Sequence, residues 1–247
     1  MKTLLTTTLL LLSLSFYAQD AKEIIRKAEE KMRGKESAYT EMTIEVIRPK
    51  WTRTMGLKSW SRGNDYSLMV LTEPAKDAGT AFLKRHKEVW NWVPSIERSI
   101  KMPPSMMMQS WMGTDMSNDD LVRESSSVTD YTHALGKDSI IDGKKCWKVI
   151  LTPKPDAAVV WGKVVAFVDQ KDYVQLKAEQ YDEDGYLVNE MLGSEVKEMD
   201  GVILATRLEL IPIEKEGQKT IMTINTIKFN EVYDDAFFTV HNMKNIR

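Results

Sequence analysis

Three histidines (His86, His133 and His241), one cysteine (Cys146) and three carboxylates (Asp115, Asp119 and Asp120) are the side chains best suited to chemistry in this 247-residue chain. Catalysis or metal binding needs such groups to converge. The histidines stand far apart in the sequence, with no His-Glu-x-x-His or Cys-x-x-Cys spacing, so a zinc site would need ligands gathered by chance in the fold. The carboxylates lack the spacing of a calcium loop, and Asp120 suits a helix start better, three residues after Ser117. No Gly-x-Ser-x-Gly elbow, phosphate loop or Gly-x-Gly-x-x-Gly is present. Cys146, within Lys144-Lys145-Cys146-Trp147-Lys148, has no partner motif and reads as a buried structural thiol. The sequence predicts a protein that is not an enzyme and uses neither metal nor cofactor.

The unusual composition is apolar and soft. There are 15 methionines and 7 tryptophans; five of the tryptophans lie between Trp51 and Trp111, and six of the methionines between Met102 and Met116. Methionine adapts to varied apolar shapes, which suits a surface for greasy cargo and equally suits ordinary core filling. With 34 basic and 36 acidic side chains the formal net charge is −2, which gives no electrostatic case for nucleic acid or an anionic membrane.

The elements that must position these residues follow from periodicity. Asp20, with Glu23 as box partner, can cap a helix over residues 20–33, in which Ala21, Ile24, Ile25, Ala28 and Met32 recur at helical spacing until Gly34. The period then becomes two: Thr40, Met42, Ile44 and Val46 share one face of a strand. Similar alternation returns through residue 210, and Gly63-Asn64, Asp142-Gly143, Asp184-Gly185, Asp200-Gly201 and Glu216-Gly217 mark tight reversals. Consecutive hairpins predict an antiparallel meander of about 11 strands, more than a flat sheet holds without curling, hence a mainly β fold with some helix: a half-open barrel.

Between the strand blocks, Pro103-Pro104 ends a strand, and residues 105–124 read as a helical insertion. Its first helix would place Met108, Trp111 and Met112 on one face; its second would start at Ser117, with Met116 and Leu121 as a hydrophobic staple. A curved sheet covered by so short a helical lid leaves room for a ligand. The candidate contacts are Met55, Leu57, Trp60, Leu68, Val70, Phe82, Trp90 and Trp92 of the first strand block, with Met106, Met107, Met108, Trp111 and Met112 of the lid. Trp90 and Trp92, two apart on one strand, would face the same way. A core filled by these side chains, without cargo, is the competing expectation.

The order of elements resembles the outer-membrane lipoprotein-sorting proteins, the LolA-like superfamily, in its longer subgroup. The resemblance is carried by Trp90-Asn91-Trp92-Val93-Pro94 with Glu97-Arg98, and by Gly113-Thr114-Asp115-Met116-Ser117-Asn118-Asp119-Asp120-Leu121, similar to that subgroup's Gly-x-Asp-x-Ser-x-x-Asp-Leu. Further segments are Trp161–Val164 through Val168-Asp169, Lys177–Asp182 with Asp184-Gly185, and Asn230–Thr239. Membership implies a half-open barrel with a helical lid, carrying acylated lipoproteins or other lipids between the inner and outer membranes. It also implies an inner-membrane transporter and an outer-membrane acceptor as partners. An envelope module that senses lipoprotein or assists an exporter, without shuttling, is the alternative on the same fold.

The amino terminus agrees with that compartment. Lys2, the apolar run Leu9–Leu14 and Phe16-Tyr17-Ala18 read as a signal peptide over residues 1–18, too short to span a bilayer, with cleavage after Ala18 into the periplasm. The remainder, 19–247, is expected to form one lipid-carrier domain. No other stretch approaches ~20 apolar residues, and the lone Cys146 offers neither an internal disulfide nor an amino-terminal lipid anchor.

Overall fold

The computed structural model describes residues 21–32, 34, 36–122 and 126–246, with nothing given for the side chains of Leu121 and Val122. The expected signal peptide, the Asp20 cap and the Leu121 half of the staple therefore lie outside the described residues. Helix α1 (residues 21–32) buries the predicted stripe of Ala21, Ile24, Ile25 and Ala28 and braces its outer side with Arg26 between Glu23 and Glu30. Gly34 ends it: at φ +70° its N–H donates to Glu30 O at 2.9 Å, and a Cβ there would come within 2.5 Å of Ser37 O.

One antiparallel sheet follows. Its first block is β1 (Ser37–Arg48), β2 (Trp51–Arg62), β3 (Tyr66–Glu73), β4 (Ala81–Arg85), β5 (Glu88–Val93) and β6 (Arg98–Met102). Its second is β7 (Tyr131–Leu135), β8 (Ser139–Ile141), β9 (Lys144–Pro153), β10 (Lys163–Asp169), β11 (Gln175–Tyr181), β12 (Leu187–Met199), β13 (Val202–Pro212) and β14 (Lys219–Phe229). The spatial order is β6-β5-β4-β3-β2-β1-β14-β13-β12-β11-β10-β9-β7, with β8 beside β9. The chain therefore lays down half the sheet outward from β1 and returns to β1 through β14, so its most distant strands pair at the centre. All the expected reversals are hairpin turns; at Asp142-Gly143 and Asp200-Gly201 both residues hold positive φ, as the strand twist requires.

Two expectations are corrected. Among the described residues the sheet has 14 strands rather than about 11; it is not closed, and β6 and β7 lie at its edges. Strands as short as β8, three residues, or β4 and β6, five each, carry too few periods to register as alternation. The insertion is also not two helices. Pro104–Met106 is a single 3-10 turn, residues 107–116 form turns, and only α2 (Asn118–Val122) is helical.

The physical reason lies in the hydrogen bonds. Met112 and Gly113 sit at φ +48° and +77°, which no right-handed helix accommodates. The loop's backbone bonds close across it, Trp111 N to Met116 O at 2.8 Å and Asn118 N to Gln109 O at 2.9 Å, and Ser110 Oγ and Thr114 Oγ1 take two more carbonyls. The Ser117–Asp120 box at the start of α2 does form: Ser117 N and Oγ each donate to Asp120 Oδ2 at 2.8 Å, and Asp120 N donates to Ser117 Oγ at 3.0 Å.

The two faces of the sheet are covered differently. On β3, Met69 and Leu71 face an inner cluster with Ile44, Met55 and Leu57, while Leu68 and Val70 face an outer one. The outer cluster is closed by the carboxy-terminal segment, where Phe238 and Met243 of α3 (Val240–Asn245) and its approach are fully buried. Helix α1 lies on the inner face, packing Ile24, Ile25 and Ala28 on Val149 and Leu151 of β9 and on Ala166 and Val168 of β10.

Candidate functional site

The inner face leaves space beneath its cover. One compartment of about 110 Å³ lies over β1 to β4, β13 and β14, and a second of about 210 Å³ lies over β9 to β13. Both are lined by Met32 of α1, Asp120 of α2 and Leu208 of β13, so they lie side by side beneath the two helices. Strands as far apart as β4 and β10 thus border adjoining compartments, as the curling of so wide a sheet allows.

Strand register explains the lining. Crossing β14, β1, β2 and β3, Ile224, Met42, Leu57 and Leu71 form one row, and Met222, Ile44 and Met55 another. Toward the other end the next row is mixed, with Ile227, Thr40, Ser59, Met69 and Phe82, and the last is Ser61, Ser67 and Lys84. The inner wall therefore grades from methionine and aliphatic side chains to hydroxyls and an ammonium.

A polar strap crosses the second compartment. Asp120 Oδ1 accepts from Trp161 Nε1 at 3.1 Å and from Gln180 Nε2 at 3.4 Å, and Gln180 Oε1 accepts from Asn189 Nδ2 at 3.1 Å. The strap ties α2 to β11 and β12, with Gln180 and Asn189 both buried and satisfied. Burial, with Asp119 and Asp120 close by, pushes the Tyr131 phenol well above its ordinary range, so this wall stays neutral there. Among the described residues no group of three or more His, Cys, Asp or Glu side chains could hold a metal ion. Cys146 is fully buried on the other face of the second block, where burial and then Asp169 push its thiol up.

The residues named from the sequence divide between the two faces. Met55, Leu57, Phe82, Met106, Met107, Trp111 and Met112 belong to the inner cluster, whereas Trp60, Leu68, Val70, Trp90 and Trp92 belong to the outer one, with Trp90 and Trp92 on one face as expected. Met108 and Trp111 do not share a face. Met108 is 66% exposed, while Trp111 is completely buried, edge-on to Phe82 with ring centroids 5.8 Å apart. None of the named residues lines either compartment of the hollow; they pack beside it or behind it, and Trp92 borders a separate outer recess with Lys244. The lining comes instead from Met32, Met42, Met69, Met191, Met222 and Leu208, among others. The signal that could have found them was the Thr40–Met42–Ile44 alternation, once β1 was known to lie at the centre of the sheet.

No curated protein matches the sequence. The model of a family described as an uncharacterized protein matches residues 63–245. Among solved structures, a DUF1329 family protein from Desulfovibrio piger superposes with a TM-score of 0.82 at 21% identity, over 92% of this chain and 99% of that one. A putative outer membrane lipoprotein-sorting protein domain from Vibrio parahaemolyticus gives 0.80 at 22% identity, over 92% and 99%. A LolA superfamily protein from Nitrosomonas europaea gives 0.78 at 25% identity, over 90% and 98%. The chain belongs to the family of that model, and its fold is that of these LolA-like structures. In this LolA-like fold, the covered inner face draws on both strand blocks, while the outer face of the first block is covered by the carboxy-terminal segment. Among the described residues no helix is long and apolar enough to cross a membrane.

Proposed function

We propose that the chain is a periplasmic carrier that takes acyl chains of lipoproteins or other lipids into its hollow for transfer toward the outer membrane. The observation that carries the reading is the pair of adjoining compartments under α1 and α2, with a methionine-rich lining, on the inner face of a LolA-like sheet. Methionine fits its thioether around chains of varied shape, and burial of each CH₂ contributes about 0.8 kcal/mol before the costs of binding. No convergent catalytic group is needed for such a task.

Cargo enters beside α1 and α2, whose Met32 and Asp120 border both compartments, while the sheet stays paired. The donor is an inner-membrane transporter and the acceptor an outer-membrane protein. The similarity to the Vibrio parahaemolyticus domain, a putative outer membrane lipoprotein-sorting protein domain, supports this direction of traffic.

The test is native mass spectrometry of the protein purified from the envelope, with lipid extraction of the same sample. Co-purifying lipid, lost when Met222→Lys places a charge in the lining, supports the carrier. Protein that is repeatedly free of lipid and takes up no acyl probe when offered one overturns it.

A further inference from the structure

Resting on that carrier reading, the geometry points to the Tyr131 hydroxyl as a hydrogen-bond donor to an uncharged carbonyl of the cargo, so that the larger compartment selects an esterified acyl chain over a free fatty acid. Tyr131 opens β7 and is only 5% exposed, packed beneath α1 in one cluster with Ile25 and Ala28. It also borders the larger compartment. Its hydroxyl has no hydrogen-bond partner among the described residues and is not sealed in the interior, so it opens onto that space.

A donor in so dry a place needs an acceptor, because leaving a buried polar group unpaired costs more than an ordinary hydrogen bond contributes. The phenol cannot escape by ionising: burial first, then the charges of Asp119, Asp120 and Asp130, hold it protonated. The polar groups of the strap do not supply the acceptor. Asp120 Oδ2 is taken by Ser117 and Oδ1 by Trp161 and Gln180, Gln180 Oε1 accepts from Asn189, and Asp119 has a partner of its own.

The charge of the surroundings selects the form of that acceptor. Of the charged side chains bordering the compartment among the described residues, Glu29, Asp119 and Asp120 are carboxylates and Lys31 is the one cation. A carboxylate or phosphate head would meet like charge in a water-poor space, whereas an ester offers a carbonyl oxygen without a charge.

Strand register then lays out the chain. One row in from Tyr131, His133, Leu151, Val164 and Gln180 oppose one another across β7, β9, β10 and β11, and the next row is Leu135, Val149, Ala166, Ala178 and Met191. Ala28 of α1 and Ala166 and Ala178 of the sheet border the compartment with nothing longer than a methyl group. An acyl chain held by its carbonyl at Tyr131 runs inward along these alanines toward Met191 and Leu208.

The experiment compares monolauroylglycerol with its ether analogue dodecylglycerol, which lacks the carbonyl, and with laurate and dodecylamine. Isothermal titration calorimetry is run on the wild-type protein and on Tyr131→Phe, which removes the hydroxyl and keeps the ring. The wild type should bind the ester at least about fivefold more tightly than the ether or laurate. Tyr131→Phe should bring the ester to within about twofold of the ether and leave the affinity for the ether unchanged, a selective loss that a merely structural role would not produce. The infrared carbonyl stretch of the isotope-labelled ester should lie lower when bound to the wild type than in hexane. Should Tyr131→Phe fail to fold by circular dichroism, that stretch decides.

Equal affinity of the wild type for ester and ether, a ratio that Tyr131→Phe leaves unchanged, or a carbonyl stretch at its hexane value overturns the Tyr131 donor and leaves the carrier intact. Tighter binding of laurate or dodecylamine than of the ester overturns the uncharged head and likewise leaves the carrier intact. Binding of none of the four overturns the carrier reading as well.

Discussion

Arg48 at the end of β1 and Asp115 in the loop before α2 form a buried ion pair, Nη1 to Oδ2 at 2.9 Å, with side chains only 11% and 2% exposed. Asp115 Oδ2 also accepts from Thr220 Oγ1 at 2.8 Å, and Arg48 Nη2 donates to Gly113 O at 2.8 Å. Arg53 adds a bond to Met112 O. Three strands thus clasp the loop that carries Trp111, at the apolar end of the inner face.

Removing one partner leaves the other charge buried and unpaired. Asp115→Ala should therefore cost about 3–5 kcal/mol, and the double variant Asp115→Ala/Arg48→Met should cost less than the sum of the single ones. Urea unfolding monitored by tryptophan fluorescence measures both. Additive losses would mean that the pair contributes no coupling.

Trp111 behaves as core rather than as a hinged cover. It is fully buried among Phe82, Met107 and Met116, so Trp111→Ala should destabilise the fold by about 3–5 kcal/mol. Near-wild-type stability, read from the urea midpoint, would contradict that placement.

Position relative to the hollow, more than membership of the methionine cluster, should decide the effect on acyl binding. Met222→Lys puts an ammonium into the lining and should weaken binding of an acyl probe by at least about tenfold. Met108→Lys changes an exposed side chain outside both compartments and should change it less than about twofold. Displacement of a fluorescent fatty acid checks the pair, and the reverse order of effects would move the site to the loop.

His133 gives the fold a pH dependence of known sign. Burial holds its value below the ordinary 6.5, outweighing the opposite pull of its hydrogen bond to Ser127 O at 2.7 Å. The unfolded chain then binds this proton more tightly than the folded one. The contribution to stability is complete above about 6.5 and is lost as the pH falls through that value toward the depressed one. Thermal melts between pH 8 and pH 5, about the range over which histidine titrates, should show a falling melting temperature that His133→Gln flattens. An NMR titration placing the ring midpoint above 6.5 would reverse the sign.

Much of the framework was legible because it is local. The stripe Ala21, Ile24, Ile25, Ala28 and its stop at Gly34, the hairpin pairs such as Asp200-Gly201, and the Ser117–Asp120 box each depend on residues within one turn of one another. The expected helix before Gly113 does not form, because the conformation of the loop 107–116 is set by Thr114, Gly113 and partners on β1, β2 and β14, which lie far away in the sequence.

The sequence by itself determined that this chain makes a long antiparallel meander with an amphipathic first helix, since periods of 2 and 3.6 are written in neighbouring residues. It also determined which residues of a strand share a side: Leu68 with Val70, Met69 with Leu71. Which side looks inward was decided only by the tertiary structure. That choice follows from β1 pairing with β14 and from α1 docking on β9 and β10, contacts between residues more than a hundred positions apart. Alternation is symmetric between the two faces of a strand, and only the curvature of the assembled sheet and the helices laid against it distinguish the face that encloses space from the face that is sealed.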